Sequence, residues 1–152
     1  MQKGLSTLIC VTCLSGVAVV GMMGEAKAVE MVAKISERQL YVYSDSGQLI
    51  RKFDIAVARP GKVTPLGNFR VQDKAVWPAW YPPSGGGVVP GGPGNPLGER
   101  WIGFNGEYGI HGTNNQASVG KAASSGCFRM RSKDIIALYD LVKVGDRITV
   151  VR

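Results

Sequence analysis

His111 is the only histidine in this 152-residue chain, and Cys127 is the only cysteine beyond the first thirteen residues. Both lie in the run from Tyr108 to Met130, Y-G-I-H-G-T-N-N-Q-A-S-V-G-K-A-A-S-S-G-C-F-R-M. A thiol is a good nucleophile at neutral pH only when its proton is taken, and imidazole is the side chain best matched to that task. Brought together by the fold, the two can act as a thiolate–imidazolium pair, the cation lowering the thiol from its ordinary ~8.5 by several units. The thiolate would attack a carbonyl and form a thioester. Gly109 and Gly112 flank the histidine, while Ser124, Ser125 and Gly126 precede the cysteine. Such small residues leave room for substrate and let backbone N–H groups turn toward it. The N–H of Cys127, with that of Gly126 or Ser125, is a candidate oxyanion holder, and a carbonyl near Gly112 is a candidate partner for the second imidazole nitrogen. One His and one Cys leave a metal site short of ligands. The plainer fates of Cys127 are burial as a small hydrophobe and an intermolecular disulfide. Its Ser-Ser-Gly-Cys context, outside any apolar periodic run, favours a working thiol.

The surrounding elements read as mainly β. Met31 to Ile35 and Arg38 to Tyr43 are short runs rich in Val, Ile, Leu and Tyr, followed by a turn at Ser44-Asp45-Ser46-Gly47. Gln48 to Ala58 partly alternates, with Ile50, Phe53, Ile55 and Val57 as inward positions. Arg59-Pro60-Gly61-Lys62 and Thr64-Pro65-Leu66-Gly67 carry turn chemistry, and Asn68 to Gln72 is another short strand. Trp77 to Gly98 holds seven glycines and six prolines with Trp77, Trp80 and Tyr81 at its front. No helix or central strand survives that composition, and a long loop inside a compact domain is expected to line a groove. Arg100 to Asn105 and Glu107 to Ile110 read as strands, the second delivering His111 at its end. Asn114 to Ala123 is loop-like. Ser132 is placed to cap the one helix, whose Ile135, Leu138, Tyr139 and Val142 share a face. That helix packs on the sheet and braces the Cys127 segment. Val144-Gly145-Asp146 ends it, and Arg147 to Val151 is a closing strand.

Length points to one domain. Residues 1–28 have the form of an export signal: Lys3, an uncharged and mostly apolar run from Leu8 to Met23, then Ala26-Lys27-Ala28 as a small-x-small cleavage site. The alternative is an uncleaved anchor, for which the run is somewhat short. Removing these residues leaves 29–152 with a single cysteine, hence no internal disulfide, and takes the formal charge from +7 to +6. The Lys and Arg residues are scattered, with no dense basic stripe interleaved with aromatics, so nucleic acid is not the expected partner. An anionic envelope or a carboxylate-bearing substrate matches the charge better.

The stretch I-H-G-T-N-N followed by S-x-G-C-x-R-M resembles the signature of the L,D-transpeptidases, the YkuD-type catalytic domain of bacterial cell-wall enzymes. Arg59-Pro60-Gly61 with Thr64 to Phe69 resembles the family's T-P-x-G-x-F segment, and Asn95 to Gly98 with Arg100 to Gly103 its N-P-L-G-x-R-W stretch. The resemblance runs from about Met31 to Val151. It implies a mainly β, sandwich- or barrel-like fold with one short helix after the catalytic cysteine, over residues 29–152. It also implies Cys127 as nucleophile, His111 as base and no metal or organic cofactor. The implied partners are peptidoglycan stems: the cysteine attacks the L-to-D bond of a tetrapeptide stem, releases the terminal D-residue and passes the acyl group to an amine, giving a 3→3 cross-link. Carbapenem-type β-lactams are expected to acylate the same thiol. Arg129 could hold a substrate carboxylate or serve as a structural ion-pair partner. Most members carry histidine before the Gly-Cys pair, where this chain has Ser125. That puts substrate positioning in question but not activation by His111. Other readings are an L,D-carboxypeptidase, if water resolves the thioester, and a non-catalytic wall-binding module. Export to the periplasm or cell wall is the expected destination.

Overall fold

A computed structural model describes residues 27–152. The export signal read over 1–28 lies outside them but for Lys27 and Ala28. Among the described residues no helix is long and apolar enough to cross a membrane.

The first sheet joins β1 (Val29–Lys34), β2 (Gln39–Ser44), β3 (Leu49–Asp54), β5 (Gly67–Arg70) and β11 (Arg147–Val151) in the order β3-β2-β1-β11-β5. The closing strand pairs parallel with the opening one, Glu30 opposite Arg147 and Lys34 opposite Val151. The second sheet has the order β10-β8-β7-β6, from β6 (Asp73–Val76), β7 (Arg100–Asn105), β8 (Tyr108–His111) and β10 (Phe128–Arg129). A short parallel pair, β4 (Val57–Ala58) with β9 (Ala122–Ser124), joins the segment before the Thr64 turn to the one before Cys127. The period-2 alternation of these strands sends Met31, Leu40 and Val42 of the first sheet, and Ile102, Phe104, Ile110 and Phe128 of the second, into one buried core. Phe104 and Phe128 stack at 6.0 Å between centroids.

Of the inward positions expected in the third strand, Phe53, Ile55 and Val57 are buried, but Ile50 is 42% exposed. Val42 pairs with Arg51 and Tyr43 with Leu49, so Ile50 is the extra residue of a β-bulge. A bulge on an edge strand shifts the alternation by one position. β6 and β9 are strands that composition did not mark. They are three or four residues long, and their pairing partners define them rather than their own pattern.

The helix α1 (Ser132–Leu141) packs against β7. Ser132 does not cap it. Arg131 occupies the cap position without a side-chain cap bond, and the Ser132 N–H donates instead to Gln116 Oε1 at 3.2 Å. A residue in a preceding loop thus takes the role expected of a local serine. At the other end Lys74 of β6 donates to the carbonyls of Tyr139 (2.7 Å) and Val142 and lies 3.9 Å from the Tyr139 ring centroid. These carbonyls have no partner within the helix, so the lysine ties α1 to the second sheet.

The Trp77–Gly98 segment is irregular, as its composition requires, but internally tied. Trp80 and Val89 exchange two backbone hydrogen bonds at 2.9 Å. Asn95, 1% exposed, donates to the carbonyls of Pro78, Val89 and Pro90 and accepts from the Leu97 N–H. Gly98 adopts φ +64°, and a Cβ there would stand 2.6 Å from the Thr113 nitrogen. Only glycine tolerates both conditions, and the contact seats the loop's end on the residues that follow His111.

Candidate active site

β10 runs parallel to β8, with Phe128 opposite Ile110 and Arg129 opposite His111. Side chains alternate, so Ile110 and Phe128 enter the core while His111 and Arg129 share the other face. Cys127, two residues before Arg129, falls on that same face beside Gly109. Adjacent strands lie ~4.8 Å apart and two residues span ~6.6 Å, which puts the Cα atoms of Cys127 and His111 at a diagonal of ~8 Å, within reach of two side chains. The two residues singled out by type are therefore brought to one face, sixteen positions apart in sequence.

His111 is 5% exposed. Its Nδ1 lies 2.5 Å from the Gly112 carbonyl oxygen. A carbonyl only accepts, so Nδ1 carries the proton and Nε2 presents a lone pair. The orienting acceptor expected near Gly112 is thus the carbonyl of Gly112 itself. Trp101, opposite His111 in the ladder, stacks on the imidazole at 5.9 Å and 20°. The same indole occupies the space a Cβ on Gly109 would need, 2.5 Å away. The ring plane and tautomer of His111 are both fixed before any substrate arrives.

Burial holds the His111 pKa down at about 4, with the Arg129 charge acting in the same direction and the Gly112 and Leu97 backbones opposing it. Burial also raises the Cys127 thiol, against the Gly109 backbone and Arg129, which lower it. The Cys127 Sγ–H points to the Glu107 carbonyl at 3.4 Å. Both shifts favour a neutral thiol and a neutral imidazole at rest over the thiolate–imidazolium pair that the residue types permit. The physical reason is desolvation, which disfavours both charges and which sequence does not display. Accordingly, alkylation of Cys127 by iodoacetamide is expected to rise with a midpoint above that of an ordinary cysteine. A midpoint two or more units below it would overturn the neutral-pair assignment.

The oxyanion donors sort themselves by what is already bonded. The Gly126 N–H donates to Ser124 Oγ at 3.1 Å, and the Gly126 carbonyl accepts from Thr64 Oγ1 at 2.6 Å. Gly126 therefore acts through its backbone shape, with φ +142° and Tyr108 where a Cβ would be, at 2.6 Å. The N–H groups of Cys127 and Ser125 are the ones left to face a substrate. Gly112 likewise donates its N–H to the Arg100 carbonyl, so its contribution is the carbonyl that orients His111. Ser125 is exposed, and its Oγ accepts from Arg59 Nη1 at 2.9 Å. The Arg129 backbone exchanges hydrogen bonds with Ala56, but its guanidinium makes no hydrogen bond or ion pair with any described residue, and its charge acts on Cys127, His111 and Arg59. Of the two roles open to Arg129, the ion pair is absent among the described residues. No group of three or more His, Cys, Asp or Glu able to hold a metal occurs among them.

Sequence reasoning left Thr64, Arg59 and Trp101 without roles, although all three stand in the quoted motifs. Thr64 is 3% exposed and ties the residue before the cysteine. Thr64→Val keeps the shape but strands the buried Gly126 carbonyl, and is expected to cost about 1–3 kcal/mol in urea unfolding. A loss under 0.3 kcal/mol would show that the carbonyl finds another partner.

The family model for the L,D-transpeptidase catalytic domain (YkuD) matches residues 28–150. The chain belongs to that family. Among curated relatives, YqjB of Bacillus subtilis, named for the L,D-transpeptidases, is 39% identical over 104 residues, covering 64% of this chain and 57% of that protein. YkuD of the same species is 36% identical over 108 residues, covering 70% and 57%. ErfK/SrfK of Escherichia coli, also named for this family, is 33% identical over 134 residues, covering 80% and 43%. The chain thus spans about half the length of these relatives. Among solved structures, an L,D-transpeptidase from Mycobacterium smegmatis superposes with a TM-score of 0.69 at 24% identity, covering 83% of this chain and 59% of that one. L,D-transpeptidase 3 from Mycobacterium tuberculosis, solved with a faropenem-derived adduct, gives 0.68 at 19% identity, covering 83% and 61%. The mainly β L,D-transpeptidase fold expected from the motifs is the fold observed.

Proposed function

We propose that this L,D-transpeptidase-family chain acts in the cell envelope as a cysteine acyltransferase on peptidoglycan stems, with Cys127 as nucleophile and His111 as base. The observation that carries this reading is the tautomer of His111, whose Nδ1–H is held by the Gly112 carbonyl, on the sheet face to which the ladder register also assigns Cys127. As Cys127 Sγ attacks the carbonyl carbon of the L-to-D bond, Nε2 takes the thiol proton, so charge develops only along the reaction path. The N–H groups of Cys127 and Ser125 receive the oxyanion. Collapse of the tetrahedral intermediate breaks the C–N bond, and His111 returns the proton to the departing D-residue's amine. An acceptor amine then attacks the thioester, losing its proton to His111, and the thiol is restored. The unpaired Arg129 supports docking of a donor carboxylate beside Cys127. The 1–28 segment supports export to the periplasm or cell wall as residues 29–152.

The test is intact-protein mass spectrometry with a tetrapeptide-stem muropeptide, with and without an acceptor amine. The expected result is a thioester on Cys127 that resolves into a cross-linked product when acceptor is present. Resolution only to the tripeptide would make the chain an L,D-carboxypeptidase, and no adduct with any of several stems would favour a wall-binding module. The faropenem-derived adduct and the imipenem complex of two structural neighbours support a parallel expectation, that a carbapenem adds its mass to Cys127.

A further inference from the structure

Trp77 stands directly across the ladder from Glu99. Val76 pairs with Arg100, and one step further the Trp77 N–H donates to the Glu99 carbonyl at 2.8 Å. Both residues line a cleft of about 420 Å³, together with Asn95, Thr113 and Gln116. Glu99 is the only ionisable residue lining it, in a chain whose formal charge is +7.

The Glu99 carboxylate has no counter-ion. Its Oε2 is buried with no hydrogen-bond partner among the described residues, and it takes part in none of the ion pairs there. The neighbouring Arg100 does not neutralise it. Arg100 Nη1 donates to the Glu99 backbone carbonyl, and the guanidinium lies 5.3 Å from the Tyr139 ring centroid on the helix side. A half-buried, unpaired carboxylate is costly unless a cation completes it. Trp77 adds an exposed indole, the best of the aromatic faces for a cation, and holds it at φ +47°. That conformation is a true outlier for a bulky residue and persists only where surroundings enforce it. A negative oxygen and a π face, on opposite residues of one ladder, are the two groups that select an ammonium.

The cleft is tied to the catalytic base. Glu99 Oε2 sits so close to Gly112 that a Cβ there would be 2.9 Å from it, and the carbonyl of Gly112 holds His111. The cleft therefore adjoins the residue that orients His111, while neither His111 nor Cys127 lines it.

We propose that the Trp77–Glu99 cleft binds a primary ammonium group. The probe is Nα-acetyl-L-lysine amide, which carries one primary ammonium, with its Nε-acetylated form as the neutral control. Titration of the full chain by amide and indole NMR is expected to move Trp77, Glu99 and Gln116 with the first compound only. Glu99→Gln should weaken that binding by roughly 10-fold, and Trp77→Leu by less, since an aromatic face contributes less than a charge-assisted hydrogen bond.

Equal shifts with both compounds, or equal affinity in Glu99→Gln, would overturn the ammonium site.

Discussion

Replacing His111 with glutamine is expected to slow thioester formation on Cys127 by about 10²–10⁴-fold, the usual contribution of a general base. Cys127→Ala should abolish it. The size of the His111 effect follows from the resting protonation states. Were the thiol already ionised, a neutral glutamine would leave much of the nucleophile in place. Here burial keeps the thiol protonated and its proton directed to the Glu107 carbonyl, so attack requires a base during the step. Glutamine can reproduce the hydrogen bond to the Gly112 carbonyl but offers no basic lone pair. Stopped-flow or timed mass spectrometry of the acyl-enzyme checks this, with a carbapenem as donor if the stem reacts slowly. A rate within threefold of wild type would remove His111 from the mechanism. The same measurement on Trp101→Leu should show an intermediate loss, since that variant frees the imidazole to rotate without removing it.

Much of this site was legible because covalent chemistry uses few residue types. A lone His and a lone Cys among small residues stand out in a sequence. A carbonyl near Gly112 was a possible partner for the imidazole from sequence, but only the fold shows that it is the one used. What could not be read is whatever depends on pairing at a distance. Gln116 replaces Ser132 at the helix start because a loop sixteen residues earlier folds over it. Ile50 turns outward because its neighbours Leu49 and Arg51 pair across it with Tyr43 and Val42, a register fact with no signature in the residue itself. The preference for a neutral pair has the same origin, since desolvation is set by the packing of the folded strands rather than by the sequence around Cys127. Glu99 was passed over for a related reason. One glutamate beside an arginine looks like a solvated pair, and only the ladder shows them turned to opposite sides.

The buried His111 should also make the protein measurably acid-labile. Its pKa is about 4 in the folded chain, against 6.5 for an ordinary histidine. Between those values the unfolded state binds the proton and the folded state does not, so stability falls as pH drops through that window. At 1.36 kcal/mol per unit, the full loss is about 3 kcal/mol, complete near pH 4 and absent above pH 7. Carboxylates such as Asp54, which Arg131 and Gln39 hold below the usual range, add their losses only at lower pH. The two contributions therefore separate along the pH axis. Urea unfolding at intervals from pH 7.5 to 4 should show a slope close to one proton in the wild type and a nearly flat line in His111→Gln. That variant will start less stable through altered packing, but packing does not change with pH, so the difference in slope isolates the imidazole. Parallel curves would mean that His111 is protonated in the folded chain well above pH 4. The neutral imidazole, and with it the proton path from Cys127 to Nε2, would then be wrong. The same titration should appear in catalysis as an acidic limb of kcat/KM near pH 4, well below that of a solvent-exposed histidine.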